Sequence, residues 1–212
     1  MNTRQFYEWI GRPRGMLSLL TPMSHETHGT ESLTSYLLRN QLALGVRVNE
    51  LMDHASLLLE ADEERAFKQG FYYARSFPMS LNGNSQSTGL LTKALQILKP
   101  DYDFEALTIK SYEQQTNGLW MMPKFKKSIA WCGHCLCEWQ EGNSPIHYPL
   151  RWQLQGYHSC KVHNVPLSQV CMSCGSQHKR FNHHMMVGKC SRCKSDLTTK
   201  KTHIVVGQDE LF

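Results

Sequence analysis

The chain has 212 residues, 41% hydrophobic and 19% charged, with a formal net charge of +5. This composition describes a globular protein and excludes a disordered one. No apolar run is long enough to cross a bilayer, and the N-terminus MNTRQFYEWIGRPRG has no apolar stretch of secretory type, so the expected compartment is the cytosol.

Residues 1–30 hold Gly11, Pro13, Gly15, Pro22 and Gly29 among polar residues and read as an irregular lead-in. Phe6, Tyr7, Trp9 and Ile10 within it form a candidate partner-binding set, because aromatic anchors are typical of protein interfaces. Packing on the protein's own helices is the competing reading.

Residues 31–120 form a helical region. Leu33, Tyr36, Leu37, Gln41 and Leu44 fall at helical spacing, with Glu31 suited to the positive N-terminal dipole. Gly45 breaks the pattern, and Val48, Leu51, Met52, Ala55, Leu58 and Leu59 resume it. The stretch Leu42 to Val46, flanked by two amphipathic helices, resembles a helix-turn-helix. Arg47 stands where a Ser, Thr, Asp or Asn cap is expected, so Asn49 is the alternative helix start. The face offering Arg47, Asn49, Glu50, Asp53 and His54 is not strongly basic, and it suits protein docking as well as DNA. Phe67, Phe71 and Ala74 share a face of a third helix that ends near Pro78. Residues 79–89 read as a polar loop. Leu90, Leu91, Ala94, Leu95 and Leu98 make a short helix stopped by Pro100, and residues 103–113 predict one more. A boundary is expected near 118–124.

Residues 121–203 contain all eight cysteines, followed by a tail over 204–212. Clustered Cys-x-x-Cys pairs in a cytosolic chain favour metal over disulfide. Cys171-x-x-Cys174 and Cys190-x-x-Cys193, 15 residues apart, have the plan of a zinc ribbon. Gly175 follows the first pair, where a positive φ is often needed. The other set is Cys132, Cys135, Cys160 and His163, whose 24-residue spacer carries Tyr148, Trp152 and Tyr157 to pack beneath the ion. His134 and His158 are rivals for His163, but the first sits inside the pair and the second lies at an unsuitable spacing. Cys137 is left over and reads as a small buried residue. His178, His183 and His184 read as solvated hairpin residues. Two structural zinc ions are expected, since four protein ligands leave no open coordination position.

Residues 121–203 carry 12 Lys and Arg against three acids, Glu138, Glu141 and Asp196. Lys124, Lys126, Lys127, Lys179, Arg180, Lys189, Arg192 and Lys194 are therefore candidate contacts for nucleic acid, mainly non-specific. The chain has no deaminase His-x-Glu, no phosphate loop and no Gly-x-Ser-x-Gly elbow. Asn182-His183-His184 faintly suggests a His-Asn-His nuclease without the accompanying groups. The chain reads as a non-enzyme of α+β class: a helical domain with a helix-turn-helix, then tandem zinc-binding modules of zinc-ribbon type.

AWCGHCLCEW and LRWQLQGYHSCKVHNVPLSQVCMSC together resemble the TniQ family of bacterial transposition proteins. The matching elements are Cys132, Cys135, Leu136, Trp152, Cys160, His163, Leu167, Cys171 and Cys174. Near the N-terminus, Ser32, Leu33, Ser35, Tyr36, Leu37 and Arg39 resemble the family's Ser-Leu-x-Ser-(aromatic)-Leu-x-Arg opening. The resemblance implies a bacterial, cytoplasmic adaptor in target-site selection. It would link a CRISPR effector and its guide RNA, either Cascade or a single-protein effector, to the AAA+ ATPase TnsC. Long family members carry a further helical domain, whereas about 19 residues follow Cys193 here, so a short-form member is expected. The alternative is a zinc-ribbon regulator that recognises its DNA site alone. Oligomeric state stays open, a homodimer included.

Overall fold

A computed structural model describes residues 19–25, 29–76, 78–112, 124–179 and 185–199. Within the lead-in, Ser24–His25 (β1) and Gly29–Thr30 (β2) pair as an antiparallel hairpin, with Ser24 opposite Thr30. An isolated bridge from Glu31 to Pro149 ties this segment to the cysteine-rich half.

The first helix, α1, spans Leu33–Leu44 and is capped by Ser32, whose hydroxyl accepts from the Ser35 N–H at 3.2 Å. Glu31 does not act as a solvent-facing dipole partner. It is fully buried, accepts from the Ser35 hydroxyl (2.7 Å) and the Met23 N–H (3.1 Å), and pairs with Arg39 at 2.6 Å. Burial raises its pKa, and Arg39 opposes that shift. Ser35 also accepts from the Tyr148 N–H at 2.8 Å, and the Tyr36 hydroxyl donates to the Leu20 carbonyl. Leu33 and Leu37 fill the core. The run from Glu31 to Arg39 is therefore one interlocked unit.

Gly45 ends α1 in the left-handed region, at φ 65°, where glycine carries no Cβ penalty. Helix α2, Val48–Ser56, follows after a three-residue link. Its cap position is Arg47, not Asn49, although Arg47 contributes no capping side chain. Two other side chains supply the function. Glu50 reaches back to the Arg47 N–H at 3.0 Å, and Gln41 accepts from the Val48 N–H at 3.0 Å.

Helix α3, Ala61–Ser76, stacks the Phe67 and Phe71 rings 5.4 Å apart and packs along α4, Gln86–Leu98. The stretch read as a loop over 79–89 is more ordered than its polarity implies. Pro78–Asn82 is a 3-10 turn, and Ser85 caps α4 four residues ahead of the expected start. Asn82 is fully buried and its Oδ1 accepts from both N–H and hydroxyl of Thr34 at 2.9 Å. Polar composition marks loops only when the polar groups meet water; here they meet a helix N-terminus. The helix expected over 103–113 is a 3-10 turn at Phe104–Leu107, with helical backbone resuming at residues 110–112.

One apolar core runs through both halves, from Leu33, Tyr36 and Phe104 to Trp131, Trp139, Trp152, Cys160 and Cys190. Tyr148 is its keystone. Its carbonyl accepts from the Ser32 N–H at 3.0 Å, and its hydroxyl accepts from the Gly188 N–H at 2.8 Å. Gln41, already bonded to Val48, donates to the Met185 carbonyl at 2.7 Å. The helical half and the last cysteine pair are thus joined by hydrogen bonds as well as by apolar packing. Among the described residues no helix is long and apolar enough to cross a membrane.

Candidate metal centres

Three of the four ligand pairs share one backbone device. At Cys160, Cys171 and Cys190 the chain turns so that the fourth residue on donates back to the cysteine carbonyl: Asn164 at 2.9 Å, Gly175 at 2.8 Å and Lys194 at 3.0 Å. Each cysteine N–H then donates to the carbonyl of the fifth residue: Val165 at 2.8 Å, Ser176 at 2.9 Å and Ser195 at 2.8 Å. The fourth residue must be left-handed, and φ is 51°, 70° and 64° respectively. Only Gly175 meets that demand without steric cost.

The Cys132–Cys135 pair is built differently from the turn that its spacing implies. Cys132 caps helix α5, Gly133–Glu141, and Cys135 lies in its first turn. The positive end of the helix faces the sulfurs, which favours thiolate. Gly133 is required by a close approach: a Cβ there would lie 2.2 Å from Thr199 Oγ1 and 2.9 Å from its backbone nitrogen.

Cys132, Cys135, Cys160 and His163 place their donor atoms within 4.8 Å of one another, and so do Cys171, Cys174, Cys190 and Cys193. In the first cluster His163 Nδ1 lies 3.5 Å from Cys132 Sγ and 3.2 Å from Cys135 Sγ, with Cys135 Sγ 3.5 Å from Cys160 Sγ. In the second, Cys171 to Cys193 and Cys174 to Cys190 are both 3.7 Å. Metal–sulfur bonds of about 2.3 Å in a tetrahedron require donor separations near ~3.7 Å. Both sets therefore fit one four-coordinate ion each. His134 and His158 belong to neither set.

As free thiols the donors do not titrate alike. A hydrogen bond from Cys135 draws Cys132 down to about 5, while Cys132 in turn, together with burial, pushes Cys135 up. Burial raises Cys160. Burial also opposes ionisation of Cys190, but the Ser176 hydroxyl and the Cys193 N–H outweigh it and hold the thiol at about 4.

Outer groups that spacing alone does not reveal support both clusters. Glu138 Oε1 stands 3.0 Å from His163 Nε2, the nitrogen opposite the donor, the side on which carboxylate partners of metal-bound histidines stand, although the two atoms are not aligned as a hydrogen bond. In the second cluster the Ser176 hydroxyl lies 3.1 Å from Cys174 Sγ and 3.2 Å from Cys190 Sγ. Ser195 lies 3.0 Å from Cys193 Sγ and 3.5 Å from Cys171 Sγ. The first cluster is buried apart from half-buried His163, whereas Cys174 is half-buried and Cys193 is exposed. Cys137 is buried with its thiol 3.4 Å from Glu141 Oε1, as a small core residue.

The candidate basic contacts separate into different kinds. Lys124, Lys127, Lys179, Arg192 and Lys194 are exposed. Lys189 pairs with Asp196 at 2.6 Å. Lys126 is corrected from a phosphate contact to a structural residue. Only 8% exposed, it donates to the carbonyls of Trp152, Leu154 and Tyr157 at 2.6, 2.8 and 2.5 Å. Burial lowers its pKa to about 8, which leaves it charged at neutral pH. His178 is also corrected: it is 3% exposed, its ring stacks 5.5 Å from Trp131, and Nε2 accepts from the Ser191 N–H at 3.4 Å. Arg180, His183 and His184, and the partner-binding set Phe6, Tyr7, Trp9 and Ile10, lie outside the described residues.

No curated protein matches the chain. The TniQ family model matches residues 22–167, a span that takes in the Glu31–Arg39 unit, α1 through α5 and the complete first cluster. A match over more than half the chain, enclosing those features, establishes that this protein belongs to the TniQ family and has a transposition-associated role.

Proposed function

We propose that the protein is a non-enzymatic adaptor in target-site selection for DNA transposition, acting in the bacterial cytoplasm. It would link a target-recognition complex, a CRISPR effector with its guide RNA, to the AAA+ regulator TnsC. The observation that carries this reading is the family match over residues 22–167. Support for a non-catalytic role comes from the two clusters. Thiolate and imidazole donors at tetrahedral spacing suit zinc, and a four-ligand set leaves no position for substrate or an activated water. Two structural zinc ions per chain follow.

Lys124, Lys127, Lys179, Arg192 and Lys194 remain as exposed cations for non-specific DNA contact. The N-terminal segment with Phe6, Tyr7, Trp9 and Ile10 is assigned to a protein partner on its aromatic content. The test is co-purification with candidate effector and ATPase subunits, comparing the full chain with one lacking residues 1–14. The shortened chain should keep its metal, lose one partner and abolish guided insertion. Full-length protein that captures neither partner, in a system where insertion proceeds without it, rules the adaptor out.

A further inference from the structure

An open groove of ≈ 680 Å³ lies where the two metal modules meet, walled by residues from three separate segments. Lys126, Lys127 and Ser128 line it from a stretch that runs between bridges at Phe125 and Trp131 and bends at residues 127–128. On one side that stretch bridges Leu154, with the Lys126 N–H donating to the Gln153 carbonyl. On the other it bridges Ser168 from Trp131, and the Ile129 N–H donates to the His178 carbonyl. Both lysines line the groove: the Lys126 ammonium is held by three carbonyls of the 152–157 wall, whereas Lys127 is exposed. Exposed Lys179 enters from the opposite wall, next to the buried His178 that stacks on Trp131. The walls are thus held before any ligand arrives.

The lining chemistry is selective. Lys127 and Lys179 supply two exposed cations beside the carbonyl-bound Lys126, Gln177 supplies an amide, Gln155 and Gln169 supply amides anchored at one atom by the Phe125 carbonyl and the Ser128 hydroxyl, and exposed His158 supplies a ring. Among the described residues no carboxylate lines the groove. The three acids of this half are placed elsewhere: Glu138 beside His163, Glu141 beside Cys137 and Asp196 against Lys189. Amides pair with base edges, an imidazole stacks on an unpaired base, and ammonium groups pair with phosphates. Base faces and Watson–Crick edges are available together only in an unpaired strand.

We propose that this groove binds a single-stranded segment of nucleic acid, with Lys127 and Lys179 on its phosphates, His158 stacked on a base and the glutamine amides on base edges. The inference deepens the nucleic-acid part of the function proposed above and does not depend on the adaptor role.

The experiment is fluorescence anisotropy of the full chain with labelled 20-nucleotide single strands of DNA and of RNA, with unlabelled duplex DNA as competitor. The double variant Lys127→Gln/Lys179→Gln should lower the slope of log affinity against log salt by about 1.4, at about 0.7 per phosphate contact on a single strand. His158→Ala should weaken binding roughly fivefold or more. Arg65→Gln/Lys161→Gln, two exposed cations outside the groove and outside the candidate nucleic-acid contacts, should leave affinity near that of the wild type. All variants are compared at equal metal content and thermal midpoint, so loss of fold is not read as loss of binding. A preference for ribose or deoxyribose identifies the source of the strand. The proposal is overturned if the groove variant binds like the wild type, if the control variant weakens as much, or if duplex competes as well as single strand. None of these readouts requires a transposition partner, so failure here is separable from failure of the adaptor reading.

Discussion

Adjacent lysines in this chain do opposite jobs. Lys126 donates to three buried carbonyls, while Lys127 is exposed. Lys126→Met should therefore destabilise the protein by about 1–3 kcal/mol, the cost of leaving buried acceptors unmet. Lys127→Met should stay within ~0.5 kcal/mol, as surface changes usually do. Urea denaturation of the two variants checks the contrast; equal effects would refute the structural role of Lys126. The left-handed residues of the cysteine turns give a second test at this scale. Lys194 holds φ 64°, where a β-carbon is disfavoured. Lys194→Gly should raise stability by roughly 0.5–1 kcal/mol, because steric relief exceeds the added chain entropy of glycine. Gly175→Ala, at φ 70°, should lower it by about 1–2 kcal/mol. Thermal melts that show no difference in sign would contradict this account of the turns.

Helix α1 owes its position less to its own periodicity than to the polar groups at its start. Glu31 and Arg39 form a pair with the carboxylate fully enclosed, and Ser35 and Met23 satisfy the remaining lone pairs. Truncating one partner of such a pair leaves a buried charge, so Arg39→Ala should cost about 3–5 kcal/mol. The combined change Glu31→Gln/Arg39→Met should recover part of that loss; a double variant worse than the sum of the singles would show that the pair is not coupled this way. At the next joint Gln41 takes over a capping duty that Arg47 does not perform, and it also holds Met185. Gln41→Ala should thus loosen α2 and the last cysteine pair together, seen as faster amide exchange in both. Loosening of α2 alone would mean that the Met185 contact carries no coupling.

Across the whole molecule the cysteine clusters are part of the common core, since Cys132, Cys135, Cys160, Cys171 and Cys190 are buried in the same apolar set as Leu33 and Phe104. Metal analysis of purified protein should find close to two zinc ions per chain, and well-folded protein with almost none would refute the assignment. Cys171→Ser should unfold the second module, because metal binding supplies much of a small module's folding energy. Cys137→Ser should be nearly silent. The sequence by itself determined the eight candidate ligand positions, the main amphipathic helices and the family, because fixed Cys-x-x-Cys spacing and helical periodicity are local patterns set by chain geometry. The same patterns were silent on Glu138, Ser176 and Ser195, whose closeness to the donors depends on how turns and α5 are oriented. They also misassigned Lys126, His178 and the 79–89 stretch, since charge and polarity in a sequence imply solvent unless a partner is known. Those partners, the carbonyls of residues 152–157, Trp131 with the Ser191 N–H, and Thr34, come from distant parts of the chain. Only tertiary packing brings them within hydrogen-bonding or stacking reach, and the burial it imposes turned surface-type residues into structural ones.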